Sequence, residues 1–149
     1  MSDLIIQQND EKSKWTNPDT FDYATHGTFI PVDQTILDAF GSTASLAFGR
    51  VWGYCRKYGH CWASEDRIAR EIGVTRASAA FALKVLHRFR LLKVIGRGEK
   101  YGTILRVISL DSAERLDRIR AAMKSREEQG KPRRFSQAEL RKLIRKNGV

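Results

Sequence analysis

Two thiols and two imidazoles are the first side chains in this sequence with the chemistry to hold a metal. Cys55, His60 and Cys61 lie close together, but a tetrahedral set needs a fourth ligand, and His87 would serve only if the fold carried it there. Cys55 also falls on an apolar helical stripe, so free thiols are expected, and no metal is assigned. The GRGEKYG segment at Gly96 to Gly102 has the glycines of a phosphate loop, but no GKS or GKT follows and a β-turn accounts for them. Acidic side chains are scattered or sit near helix starts, and no Ser, His and Asp are spaced for nucleophilic work. Neither catalysis nor a cofactor is expected. What remains is cationic and apolar chemistry suited to a polyanion. It comprises Thr75, Arg76, Ala77, Ser78, Ala80, Phe81, Lys84 and Arg88 in one stretch, then Arg97 and Lys100 in another.

The elements that must position these side chains are legible around them. Ser64 is placed to cap a short helix whose first turn holds Glu65 and Asp66 and whose apolar face is Ile68, Ala69 and Ile72. Gly73 supplies a residue free to take positive φ, Val74 turns back to the core, and Thr75 caps a second, longer helix. In that helix Ala79, Ala82, Leu83, Leu86 and Phe89 recur at helical spacing, which turns Ala77, Ala80, Phe81, Lys84 and Arg88 outward. Leu91 to Ile95 and Thr103 to Ile108 are β-rich runs on either side of a basic tip. The pattern predicts a mainly α fold with a small β-hairpin: a winged helix-turn-helix spanning residues 29–110.

Residues 1–28 read as an N-terminal arm, with Trp15, Phe21 and Tyr23 either strapped over the domain or waiting for a partner. Val32 to Phe40 predicts a short helix ended by Gly41. Ser42 is placed to cap the next, whose stripe is Ala44, Ala47, Phe48, Val51, Trp52, Cys55 and Tyr58, with Gly59 as its stop. Trp62 is expected to pack, and the GHCWA segment around it to form a short strand beside the wing. Residues 111–149 predict a basic C-terminal helical extension. Its first helix carries Leu116, Ile119 and Met123 on one side. Its second is capped by Ser136 with Glu139 as capping-box partner, and has Leu140, Leu143 and Ile144 together. The net charge is +10, distributed as −5 over residues 1–40, +9 over 41–110 and +6 over 111–149. Positive charge thus sits on the winged helix and behind it. No run approaches the roughly 18 apolar residues of a membrane span, and a cytoplasmic protein is expected.

The segments FIPVDQTIL, the helix ending at Tyr58 and Gly59, and HCWASEDRIAREIGVTRASAAFALKVLHRFRLL resemble the winged helix-turn-helix domain of phage and plasmid replication initiators and replisome organisers. The resemblance covers about half the chain and implies duplex DNA binding in replication or its control. Family members commonly carry polar or basic side chains where this chain has Ala77, Ala80 and Phe81. The expected function is therefore sequence-preferring binding of double-stranded DNA, as a transcriptional regulator or a replication or maintenance factor of a plasmid or phage. A homodimer and a replication or transcription protein partner are expected. Arg76 and Ser78 stand at the entrance of the reading helix, Arg76 suiting guanine, while Ala77, Ala80 and Phe81 offer only apolar contact to thymine methyls. Phe81 equally suits packing against a second protomer or the N-terminal strap. Lys84 and Arg88 suit phosphates, and Arg97 and Lys100 the backbone or a minor groove. The alternative is a protein-interaction module with only nonspecific DNA affinity. The C-terminal helices fit either a dimer seam through Leu116, Ile119 and Met123 or an auxiliary arm along DNA.

Overall fold

The computed structural model describes residues 29–99 and 102–146. The N-terminal arm, Lys100 and Tyr101 lie outside the described residues. Among those described are six helices and a two-stranded antiparallel sheet: α1 Gln34–Phe40, α2 Ser42–Tyr58, α3 Glu65–Ile72, α4 Arg76–Arg88, β1 Leu92–Arg97, β2 Ile104–Ile108, α5 Ser112–Glu128 and α6 Gln137–Lys146. No helix of these is long and apolar enough to cross a membrane.

Helix α2 is the central strut, packed against α1, α3, α4 and β2. It starts differently from expectation. Gly41, at φ 96°, both ends α1 by donating to the Leu37 carbonyl and serves as the N-cap of α2. With one residue between the helices, Ser42 is already inside the second and its hydroxyl caps nothing. The buried face of α2 is also rotated from the predicted stripe. Tyr54 is buried with Ala44, Ala47 and Val51, whereas Trp52 is half-buried and Tyr58 exposed. Gly49 has a specific duty, since a Cβ there would lie 2.1 Å from the Pro31 carbonyl oxygen. Only glycine lets the extended segment before α1 cross the helix so closely.

The turn between α3 and α4 forms as its chemistry dictates. Ser64 Oγ accepts the Arg67 N–H at 3.1 Å, Gly73 takes φ 76°, and Thr75 Oγ1 accepts the Ser78 N–H at 3.1 Å. Strand β1 runs further than predicted. A bulge between Val94 and Gly96 keeps the ladder going until Arg97 pairs with Ile104, so Gly96 and Arg97 belong to the strand rather than the tip. The short strand expected around Trp62 reduces to one residue, Cys61, which exchanges backbone bonds of 2.8 and 2.9 Å with Arg106.

The C-terminal helices fold back onto the same core. Helix α5 packs on α1 and α6 on α4. Ile119, Met123, Leu140 and Ile144 join Ile36, Val51, Leu83 and Leu86 in one buried cluster. Three rings lock this arrangement: Phe40, Phe89 and Phe135 lie 4.7 to 5.7 Å apart, tying α1, the end of α4 and the approach to α6. Of the three residues of the expected seam, Ile119 and Met123 are buried within their own chain and Leu116 is half-buried against the same core. The predicted capping box of α6 is present, with Ser136 N–H donating to Glu139 at 2.8 Å and Glu139 N–H to Ser136 Oγ at 3.1 Å.

Candidate nucleic-acid interface

Helix α4 presents two unlike sides. Ala79, Ala82, Leu83, Val85 and Leu86 are buried against the body, while Arg76, Ala77 and Lys84 are exposed and Ala80 is half-exposed beside them. The thirteen residues of α4 include no carboxylate. Arg76 and Lys84 accordingly form no ion pair or hydrogen bond among the described residues. Both cations are fixed to a rigid helix and remain available, with small apolar side chains between them. Thr75 and Ser78 are partly committed, because the Thr75 hydroxyl also donates to Ser78 Oγ at 3.0 Å. Ser78 keeps its own hydroxyl proton.

Phe81 and Arg88 do not stand on that open face. Phe81 is half-buried against the core beneath α6, with the Arg141 guanidinium 5.9 Å from its ring centroid. Between the two helices runs a groove of about 250 Å³ whose walls include Ala77, Ser78 and Phe81 from α4 and Gln137 and Arg141 from α6. The exposed Arg141 thus stands beside the first two turns of α4, a placement invisible in sequence because it depends on α6 docking across more than fifty residues. Arg88 leans toward α5, and its Nε is buried without a partner. Arg97 is exposed at the end of β1, its Nη1 donating to the Gly102 carbonyl at 3.1 Å.

The hairpin is held to the helices by a buried cation. Arg106, 3% exposed, donates from Nε to His87 Nε2 at 3.1 Å and lies 3.8 Å from the Glu65 carboxylate. Burial, then the neighbouring Arg106 charge, pushes His87 down to about 4 against an opposing bond to the Leu92 backbone. The imidazole is therefore neutral at physiological pH, with its Nε2 lone pair free to accept. This link joins β2 to the last turn of α4 and the first turn of α3. A second joint ties α2 to α3. Glu71 accepts from Arg50 Nε at 2.8 Å, Arg67 Nε at 3.1 Å and Tyr54 Oη at 2.9 Å. Burial alone would raise the Glu71 carboxyl, but these bonds hold it below its ordinary value. Nothing in the sequence singled out Arg106 or Glu71. Arg106 carries the one signal, a charged residue inside the otherwise apolar run Ile104 to Ile108, whereas Glu71 sits beside Arg70 in a charged helix and carries none.

Among the described residues, no three or more His, Cys, Asp or Glu side chains are grouped to hold a metal ion. Burial raises both thiols above their ordinary pKa, keeping them protonated. His87, the suggested fourth ligand, is occupied by Arg106. Comparison of the chain with protein-family models, curated proteins and solved structures returned no match.

Proposed function

We propose that the chain is a double-stranded DNA-binding protein with sequence preference, acting in transcriptional control or in replication and maintenance of a plasmid or phage. In this reading α3 and α4 are a helix-turn-helix, the β1–β2 hairpin is its wing, and the fold is a winged helix. The observation that carries it is the open face of α4, where Arg76 and Lys84 stand without a neutralising carboxylate. Arg76, in the first turn, is placed to fork onto guanine, and Ala77 and Ala80 meet thymine methyls. Lys84 and the hairpin's Arg97 bind phosphates, and Arg141 extends the phosphate contacts from α6. The buried Arg106 joint fixes the hairpin relative to α4, so that helix and wing meet the duplex as one surface. The expected homodimer requires a seam other than Ile119 and Met123.

Gel shifts against random duplex and selection of bound sites from a random pool test this proposal. Saturable duplex binding at low salt with an enriched motif is expected, and no duplex binding at low salt would end it. A second reading, a protein-interaction module, is favoured by one feature, the groove between α4 and α6 that Ala77 and Phe81 line. Its signature is duplex affinity that falls steeply with salt and enriches no motif, because phosphate contacts release counterions without reading bases.

A further inference from the structure

We propose that the cavity between the end of α4 and the outer side of α5 is a site for a dianionic phosphate, separate from the duplex-facing surface. The cavity measures about 360 Å³, and four guanidiniums line it: Arg88, Arg90, Arg115 and Arg118. Phe89 and Ile119 form part of its apolar floor.

The local charge balance sets the class of ligand. Asp111 neutralises Arg115 at 3.0 Å and Glu114 neutralises Arg118 at 3.1 Å. Arg88 and Arg90 have no carboxylate partner among the described residues, and Arg88 Nε is buried without an acceptor. Two positive charges therefore remain unmatched around one cavity. A phosphate monoester carries about 1.5 to 2 negative charges at neutral pH, whereas a backbone diester carries one. Guanidinium forks also match tetrahedral oxygens in pairs. Arg90 reaches the wall because the chain turns there at φ 59°, a left-handed conformation unusual for a residue other than glycine. The volume beyond one phosphate group leaves room for a small organic part over Phe89 and Ile119. The shared chemistry is a terminal phosphate, carried either by a free small molecule or by a nucleic-acid strand end.

The experiment titrates the full chain with phenyl phosphate and with dimethyl phosphate at constant ionic strength, followed by calorimetry and amide chemical shifts. Phenyl phosphate should bind saturably, at least tenfold more tightly than the diester, with shifts centred on residues 88–90 and 115–122. The Arg88→Gln/Arg90→Gln variant should lose at least tenfold and Arg76→Gln/Lys84→Gln should lose little. Shift mapping on the unaltered chain keeps the test decisive if the first variant folds poorly. Shifts centred on residues 76–84, equal loss in both variants, or a response matched by chloride would each overturn the site. Displacement of phenyl phosphate by a duplex bearing 5′-phosphates supports a strand end as the source. Displacement by neither phosphorylated nor plain duplex supports a free small molecule. Displacement by plain duplex lacking terminal phosphates would overturn the proposal, since a diester would then fill the cavity.

Discussion

Helices α4 and α5 are both rich in cations, yet they hold them in opposite ways. On α5, Arg118 and Arg120 each pair with a carboxylate on their own helix, Arg115 pairs with Asp111 at the N-cap, and Arg126 forks onto Glu139 of α6 at 2.7 and 2.9 Å, so that Lys124 alone of its cations has no such partner among the described residues. On α4, Arg76 and Lys84 have no carboxylate within the helix to meet. Exposed pairs of the α5 kind contribute little stability, but they cancel the local field a polyanion would feel. Segment charge thus does not locate an open cationic surface, and the pairing of each cation does. The same comparison explains why α6 matters. Glu139 is consumed by Arg126, whose bonds hold its carboxyl down at about 2, and Arg141 is left exposed beside α4.

The largest expected effect falls on the joint between the two kinds of region. Arg106→Ala leaves Glu65 and His87 without their buried partner and should cost about 3 kcal/mol of stability, read from urea unfolding. A loss below about 1 kcal/mol would mean that the hairpin is held by its apolar contacts alone. Next comes a pH effect at the same joint. Because His87 sits near 4 in the folded chain and near 6.5 when unfolded, its contribution is complete above pH 6.5 and is lost as pH falls toward 4. After allowance for the partial exposure of the ring, about 2 kcal/mol is at stake across that window. His87→Gln keeps an acceptor for Arg106 but does not titrate, so it should flatten the stability profile between pH 6.5 and 4. An unchanged slope would assign the acid sensitivity to other groups. The smallest effect is expected from the neutralised region. Arg133, shared between Glu127 at 3.0 Å and Asp38 at 3.9 Å, should change stability by less than about 0.5 kcal/mol and duplex affinity by less than twofold on replacement by Ala. A larger loss of affinity would show that paired cations also reach the duplex.

Local chemistry made much of this fold legible in the sequence. Ser64, Thr75 and the Ser136–Glu139 box act within one turn of themselves, and Gly41, Gly59 and Gly73 take the positive φ that their helix ends require. The open face of α4 followed from the same periodicity. Features decided by distant packing were not legible. The α2 stripe carries more apolar residues than one face can bury, and Tyr54 displaces Trp52 and Tyr58 because its hydroxyl finds Glu71 on α3. Periodicity alone turns Phe81 and Arg88 outward, whereas α6 and α5 return beside them and leave both half-buried. Ser42 failed as a cap because one glycine suffices to join α1 and α2.

The most direct test reverses charge in matched pairs. Arg76→Glu/Lys84→Glu on α4 and Arg118→Glu/Lys124→Glu on α5 change the net charge equally, and fluorescence anisotropy with a labelled duplex at fixed low salt compares them. If the open face of α4 is the docking surface, the α4 pair should lose about 100-fold or more in affinity and the α5 pair only a few-fold. Equal losses in the two variants would show that net charge alone drives binding, and would contradict the assignment of α4 as the reading helix.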